Sequence, residues 1–434
     1  MPTEIHSRDE LLNALTDASE LEHGLLCQYL FAALTIKQTP SEGITWAQVE
    51  AARGWKRTLL EVSRQEMAHL GTVCNLLTAI GGAPHFQRPN FPQAPKYYPL
   101  DISYALERFD EKSLDRFIHY ETPPDTPQMK ALLLAPSPLT YTSVGDLYRS
   151  IRKAFEDMPE EQLFIGPRSD QDDNDWSRNL QLFKVIDRAS AVKAVDFIIV
   201  QGEGSPAHRD DSHFARFKGV RDELLSELKA DPKLDPSRPV AKNPMSRLHR
   251  STLEKDVSII KNEETLAVAE LLNVSYETTL LMLQQFYAFG SETPEQREAL
   301  RQATREMMSG VIRPVGEVLT LLPLDIKDGP TAGPCFELYG DIAVSPHTEN
   351  AWTIIIERLR RHGQEGLSIA NVGPRGRVRL AAENLMTLGD NLERVAPSTK
   401  QMGIRSALRD GAIKPTAPRD ATARYTRPQG DTNQ

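Results

Sequence analysis

The 434-residue chain has little cysteine, no run of basic residues and no long uncharged apolar segment. Its three cysteines, Cys27, Cys74 and Cys335, are far apart and odd in number, which argues against a disulfide framework or a zinc–cysteine motif and favours buried free thiols. A net charge of -9 argues against nucleic acid or an anionic membrane surface as the main partner. Without a secretory signal pattern at its start or an apolar window of about 20 residues, the sequence predicts a cytoplasmic protein that does not span a membrane.

The composition is that of an ordinary globular protein. Hydrophobic residues make up 40% of the chain and charged residues 26%, and the length allows two or three domains around a substantial core. Proline (30 residues) outnumbers glycine (25 residues), which indicates long structured loops. Nothing in these numbers selects a function.

Hydrophobic periodicity predicts two long helices in the first part of the chain. The first covers 7–37 and opens with Ser7 and Glu10 at capping-box spacing, and the second covers 46–81. Glu22 falls inside the apolar stripe of the first helix. Glu66 and His69, from the segment QEMAHL, fall inside the stripe of the second, where a three-residue step returns to nearly the same face.

Two more helices and a second helical region are predicted downstream. The third helix covers 188–203 and the fourth begins near Asp210, while a composition shift near 240 precedes amphipathic stretches at 263–289, 294–322, 348–363 and 378–396. No strand pattern competes with these helices, so an all-α fold is expected. The predicted organisation is a four-helix bundle over 1–237 with an insertion at 84–176, a C-terminal helical region over 238–405 that packs on the bundle, and a disordered tail over 406–434.

Acids and histidines recur on the apolar faces of the four bundle helices. A buried carboxylate without a partner costs several kcal/mol, so several together need a compensating cation. The order Glu, Glu-x-x-His, Glu, acid-x-x-His is the ligand pattern of ferritin-like dimetal carboxylate proteins. The sequence therefore predicts metal ligation by Glu22, Glu66, His69, Glu203, Asp210 and His213.

Alternatives remain open for single members of this set. A Glu-x-x-His pair on a helix is also common as a capped or salt-bridged surface pair. Asp210 is shorter than Glu and lies at a helix start, where an acid can simply cap. Asp196, seven residues before Glu203, would substitute or support a ligand, and His23 would be a supporting or a surface group.

The ligand types indicate which metals fit. Carboxylate oxygens with two imidazoles suit iron or manganese, and no thiolate partner set is present for softer metals. Such a site binds and reduces dioxygen if coordination positions are open, whereas a closed site is structural.

Several segments together resemble a known family. They are ELEHGLLCQYL (20–30), RQEMAHL (64–70), FIIVQGEGS (197–205), DDSHFARF (210–217), RPVAKNP (238–244), LLNVSYETTLLML (271–283) and AGPCFELYG (332–340). These segments resemble the ferritin-like domain of the iminophenyl-pyruvate dimer synthase type, and they extend over most of the chain.

The resemblance implies a ferritin-like bundle and ligation by Glu22, Glu66, His69, Glu203 and His213. The position of Asp210 is usually Glu in that family, which puts this ligand in doubt. Members of the family couple two aromatic imino acids oxidatively in bisindole pathways, in some cases with haem, and are much longer chains. The shared domain therefore supports dimetal chemistry more directly than imine dimerisation.

Three functions follow from the sequence. The leading one is a dioxygen-dependent dimetal oxidase or oxygenase, di-iron or dimanganese, that oxidises or couples a small aromatic or amino-acid-derived substrate. Insertion residues would shape its pocket, and a homo-oligomer or a partner enzyme is compatible with the C-terminal helices. The second is a metal-binding, storage or structural protein without catalysis. The third uses haem, with His119, His208 or His249 as axial ligand, although no local motif selects any of them.

Overall fold

The computed structural model describes residues 4–93, 104–123, 143–173, 182–202, 209–248, 256–288, 291–326 and 328–397. Helices dominate these ranges. The strands found there are β1 (Pro244–Met245) and β2 (Ser258–Ile259), a parallel pair of two residues each. The predicted all-α fold is confirmed.

Helices α1 (Arg8–Thr35) and α2 (Trp46–Ala79) form the most extensive helix pair of the described chain. Each begins at the residue that its capping signal indicates, since Ser7 caps α1 and Thr45 caps α2, both in complete capping boxes. The side chain of Leu12, near the start of α1, reaches Gly82, just after the end of α2. The two helices therefore run antiparallel, which brings the middle of one beside the middle of the other.

Five further helices surround this pair. They are α3 (Glu111–Tyr120), α4 (Val144–Asp157), α5 (Glu160–Leu163), α6 (Arg188–Gly202) and α7 (His213–Ala230). Helix α3 packs on α7, α4 packs on α6 and α1, and α2 contacts both α6 and α7. The insertion predicted at 84–176 thus contributes two helices, α3 and α4, to the bundle itself. Phe117 of α3 stacks edge-on against Tyr29 of α1 at 4.7 Å between ring centres.

The C-terminal helices complete the described fold. They are α8 (Glu263–Tyr287), α9 (Pro294–Met307), α10 (Arg313–Leu319), α11 (Thr348–Ser368) and α12 (Arg377–Val395). A single π-helical turn, Met308–Ile312, joins α9 to α10. Helix α8 is long and apolar enough to cross a bilayer, but 72% of its apolar window is buried inside the protein, as expected of a core helix.

One hydrophobic cluster runs from Ile5 to Leu392, and the chain up to Ala396 forms one compact unit. The C-terminal helices share this core with the bundle; for example, Gly316 of α10 lies against the side chain of Leu34 of α1. The boundary at 237/238 stays a prediction. The predicted tail, 406–434, lies outside the described residues.

Candidate metal centre

Five buried side chains converge between α1, α2, α3 and α7. They form two groups of three, Glu22 with Glu66 and His69, and Glu66 with Glu121 and His213, and within each group the candidate ligand atoms lie within 4.8 Å of one another. Both groups contain Glu66, so one carboxylate serves two adjacent sites. A carboxylate shared between two sites is the arrangement expected of a dimetal centre.

The distances show how Glu66 serves both groups. Its Oε2 lies 2.8 Å from Nδ1 of His69, and its Oε1 lies 3.0 Å from Nδ1 of His213. On the outer sides, Nδ1 of His69 lies 3.4 Å from Oε2 of Glu22, and Nδ1 of His213 lies 3.8 Å from Oε1 of Glu121. The two imidazole rings are nearly parallel, with centres 5.5 Å apart. The centre therefore consists of two similar halves joined at Glu66.

In both histidines, the ring nitrogen that faces away from the acids is hydrogen-bonded to the side-chain amide of a glutamine. Nε2–H of His69 donates to Oε1 of Gln201 over 2.9 Å, and Nε2–H of His213 donates to Oε1 of Gln65 over 3.1 Å. These hydrogen bonds fix each ring with Nδ1 towards the carboxylates; Nδ1 carries a proton in metal-free protein and would lose it on binding a metal. Metal-ligating histidines are usually oriented in this way, because the outer N–H bond fixes the tautomer.

Each outer carboxylate accepts a hydrogen bond from a tyrosine. The hydroxyl of Tyr29 donates to Oε1 of Glu121 over 2.6 Å, and the hydroxyl of Tyr148 donates to Oε1 of Glu22. Tyr29 belongs to α1 and Tyr148 to α4. These hydroxyl donors fix the orientation of both acids. In Glu22 the second oxygen, Oε2, faces His69, whereas in Glu121 the same oxygen, Oε1, faces both Tyr29 and His213.

Burial strongly perturbs the protonation of the cluster. Burial, with the neighbouring charge of Glu66, raises the pKa of Glu22 to about 8. Burial alone would lower the pKa of His213, but the charge of Glu66 outweighs it and raises that pKa to about 9. Glu66 has a pKa well below its ordinary value, since the positive charges of His213 and His69 outweigh the effect of burial. In metal-free protein, the protonated imidazoles of His69 and His213 supply the positive charge beside Glu66, and protonation of Glu22 removes a competing negative charge.

The donor set fits a pair of metal ions. Glu22 Oε2, Glu66 Oε1 and His213 Nδ1 are buried and make no hydrogen bond within the described chain, although each faces another candidate ligand atom. Buried polar atoms whose contacts are only with one another, without regular hydrogen-bond geometry, are costly unless a cation satisfies them. A cavity of about 20 Å³, lined by Glu22, Glu66, His69 and Glu121 among others, adjoins the cluster and has room for one water-sized species.

Four of the six predicted ligands are brought together: Glu22, Glu66, His69 and His213. Glu203 lies outside the described residues. Asp210 is exposed and belongs to neither group. The reason is that α7 begins only at His213, with Ser212 as its cap, so Asp210 precedes the helix in a short 3₁₀ turn, Arg209–Asp211. The rule that residues three apart share a face applies only within a helix.

Glu121, which the sequence did not predict as a ligand, lies beside His213. It follows the last residue of α3, a helix within the stretch that the sequence predicted as an insertion. Its signal is weak: an acid directly after an amphipathic helix, beside the buried Tyr120. Gln65 and Gln201 were also missed, although both stand inside the motifs that carry the ligands.

Two predicted supporting residues, Asp196 and His23, do not contact the ligands in the way expected, and a glycine lies beside the cluster. The side chain of Asp196 pairs with Arg152, 2.6 Å from Nε, and is 45% exposed, so it does not support a ligand. His23 is buried and hydrogen-bonds the hydroxyl of Tyr276 instead of a ligand. Gly202 lies where an added Cβ would approach Oε2 of Glu121 to 3.2 Å, which explains a glycine beside the centre.

Of the histidines considered for haem, His119 lies on α3 and is partly buried, whereas His208 and His249 lie outside the described residues. The three cysteines are free and buried, as the sequence predicts.

Comparisons with known proteins agree with this geometry. The chain is 28% identical over 414 residues to dichlorochromopyrrolate synthase of Lentzea aerocolonigenes, covering 85% of this chain and 40% of that protein. It is 30% identical over 366 residues to 2-imino-3-(indol-3-yl)propanoate dimerase of Chromobacterium violaceum, covering 77% of this chain and 34% of that protein. The chain thus spans less than half the length of these curated relatives.

A solved structure is also similar. It is a ferritin-like protein from Caulobacter vibrioides, 18% identical, with a TM-score of 0.43, covering 71% of this chain and 95% of that one. Residues 15–222 match the model of the family described as Ferritin-like. Glu22, Glu66, His69, Glu121 and His213 all fall within that match. Through this region, which is just under half of the chain, the protein is similar to the ferritin-like family.

Proposed function

We propose that the protein is a non-haem dimetal oxidoreductase, with iron or manganese as its metal. Glu22 and His69 would hold one ion, Glu121 and His213 the other, and Glu66 both. The observation that carries this proposal is the pair of buried groups that share Glu66 while three of their ligand atoms make no hydrogen bond. Oxygen and imidazole donors without thiolate are the set that suits these metals.

When bound, such a metal pair supplies a place to bind dioxygen and the electrons to reduce it. The protein residues provide the surroundings that this requires. Gln65 and Gln201 hold the imidazoles with Nδ1 towards the acids, and Tyr29 and Tyr148 fix the outer carboxylates. Exclusion of water from the cluster strengthens each of these interactions.

The proposed substrate is a small aromatic compound derived from an amino acid, which the enzyme oxidises or couples. The support is the printed names of the two relatives, a synthase of dichlorochromopyrrolate and a dimerase of an indole imino acid. The chain covers 40% and 34% of those proteins, so the support for this substrate class comes from the shared region alone. The protein is further proposed to be cytoplasmic, acting as a homo-oligomer or beside a partner enzyme.

One observation favours a second candidate, a structural or stored metal without catalysis. The cavity beside the cluster is only about 20 Å³, which leaves little room for a substrate at the metals. A closed metal site is structural, whereas a catalytic site keeps an open position.

Dioxygen consumption separates the two candidates. Metal-loaded protein is reduced anaerobically and mixed with dioxygen, with and without 3-(indol-3-yl)-2-oxopropanoate and ammonium, which form the imino acid in solution. The proposal predicts a dioxygen-dependent change in the absorption spectrum and faster dioxygen uptake with the imino acid. The Glu66→Ala variant is the control. Loaded protein with no reaction towards dioxygen would indicate a structural or storage role.

A further inference from the structure

A large cavity lies on the side of the α1–α2 pair away from the metal centre. Its volume is about 560 Å³, and α1, α2, α8 and the π-helical turn Met308–Ile312 all contribute to its wall. Met67 and Ala68 line it, although they stand between Glu66 and His69 in the sequence. Since successive residues on a helix turn by about 100°, α2 presents ligands to one side and a cavity wall to the other.

The interior of this cavity is apolar and partly aromatic. Leucines from α1 and α8 line it together with the rings of Phe86, Tyr287 and Phe336. A volume between 300 and 1,000 Å³ with apolar walls is typical of sites for small organic ligands. The polar groups of the inner wall include Tyr276 and His23, which hydrogen-bond each other. The interior therefore fits a flat ring system with few polar atoms.

The rim of the cavity is positively charged. Arg57 and Arg64 of α2 stand seven residues apart on one face, and Arg305 of α9 and Arg313 of α10 line the cavity as well. All four are exposed. Among the residues that the structure describes, no carboxylate lies within 4.0 Å of the guanidinium of Arg57, Arg64 or Arg305.

Arg313 does have an acidic neighbour, but that acid is shared. Its Nε lies 3.5 Å from Glu317, whose carboxylate also pairs with Lys56 at 2.9 Å and Arg377 at 2.6 Å. The charge at this edge thus remains positive. An apolar cavity with an unneutralised guanidinium rim is complementary to an amphipathic anion, and guanidinium forks match carboxylates.

We infer that this cavity is a binding site for an aromatic carboxylate, with the ring system inside and the carboxylate at Arg57 and Arg64. The inference depends on the proposed function only for the choice of probe. The proposed site contains none of the candidate metal ligands, so the carboxylate is expected to bind to metal-free protein as well.

The test is isothermal titration calorimetry of chelator-treated protein with 3-(indol-3-yl)propanoate, a probe without the imine. The neutral amide of the same acid is titrated in parallel. We expect the acid to bind at about one per chain and at least tenfold more tightly than the amide, because the amide cannot form charge-assisted bonds to the rim. The variant Arg57→Gln/Arg64→Gln is expected to remove this preference.

Arg53→Gln is the matched control, since Arg53 is an exposed arginine of the same helix, four residues before Arg57, that does not line the cavity. It is expected to leave binding unchanged. A second variant, Leu283→Trp, fills the cavity with a larger side chain and is expected to abolish binding while metal content stays normal. Leu283 is only partly buried, which makes this substitution tolerable for folding.

Three outcomes would overturn the inference: no binding of the acid, equal affinity for acid and amide, or binding that Leu283→Trp leaves intact. Loss of binding in Glu66→Ala, with the rim variants unaffected, would place the ligand at the metal centre instead. Binding of the acid by chelator-treated protein, together with no reaction of metal-loaded protein towards dioxygen, would support the cavity site and contradict the proposed function, so the two failures are distinguishable.

Discussion

Two carboxylate clusters with little exposure to solvent are neutralised in different ways. Glu317 of α10 is 17% exposed and has Lys56, Arg313 and Arg377 within 4.0 Å. Its pKa is lower than its ordinary value, because the charge of Lys56 and the other cations outweighs burial. The permanent charges of this network come from the protein itself.

The metal centre has the opposite composition. Glu22, Glu66 and Glu121 have no Lys or Arg nitrogen within 4.0 Å in the described part of the chain, and the cationic groups that face them there are imidazoles. Glu317 is thus neutralised by permanent charges of the protein, whereas the acids of the metal centre are left for a cation from outside. Imidazoles suit the second purpose because they lose their proton when a metal binds.

The largest effect is expected from Glu66→Ala. This variant removes the ligand that both groups share, so metal content should fall from about two ions per chain to near zero. Helical content should change little, since α2 keeps its cap and its apolar stripe. Elemental analysis and circular dichroism measure the two quantities. Full metal content in the variant would show that Glu66 is not the shared ligand of the centre.

Glu121→Gln is expected to lower the metal content by about half. The substitution keeps the size of the side chain and a hydrogen bond from Tyr29 but removes the charge beside His213. About one of two ions should be lost, because Glu22, Glu66 and His69 remain. Elemental analysis of the variant beside Glu22→Gln, the matched change in the other half, measures this. Retention of both ions would remove Glu121 from the ligand set.

Glu317→Gln should leave metal content unchanged and destabilise the fold. The variant leaves Lys56, which is buried, without its carboxylate partner, and partial exposure moderates the cost to about 1–2 kcal/mol in the free energy of unfolding. Urea denaturation of chelator-treated wild type and variant measures it. A loss of metal in this variant would show that the two carboxylate sites are not independent.

Wild type and Glu317→Gln are also expected to differ in how their free energy of unfolding depends on pH. Folding lowers the pKa of Glu317 from its ordinary value of 4.5, so its stabilising contribution is present above pH 4.5 and is lost as the pH falls through the folded-state pKa. The difference in free energy of unfolding between wild type and Glu317→Gln should therefore narrow below pH 4.5. A difference that stays constant down to acid pH would mean that the charge of Glu317 is not what stabilises the fold.

The smallest effect is expected from Asp210→Asn. Asp210 is exposed and outside both ligand groups, so metal content should stay at the wild-type value and the free energy of unfolding should change by less than about 0.5 kcal/mol. Elemental analysis and urea denaturation again provide the readout. Loss of an ion here would restore the ligand that the sequence predicted.

The sequence predicted the elements that local signals determine. Helix α1 was predicted over 7–37 and observed at Arg8–Thr35, and α2 was predicted over 46–81 and observed at Trp46–Ala79. Both carry complete capping boxes, and both have a stripe that includes the ligands. Glu22, Glu66 and His69 could therefore be placed on facing helices from spacing alone.

What the sequence did not predict depends on contacts between distant segments. Glu121 is 55 residues from Glu66, and no local period connects an acid at the end of α3 with a histidine at the start of α7. Asp210 was selected because its spacing to His213 fits a helix. However, the helix begins only at His213, with Ser212 as its N-cap, so Asp210 lies outside it. The stretch 294–322 was predicted as one amphipathic segment, but the π-helical turn Met308–Ile312 interrupts it.

The most direct test of the account is elemental analysis with an absorption spectrum on protein purified without added metal, followed by reduction and exposure to dioxygen. A dimetal centre predicts about two iron or manganese ions per chain, no Soret band and a spectral change that requires dioxygen. Protein with no metal, or with haem alone, would show that Glu22, Glu66, Glu121, His69 and His213 do not form such a centre.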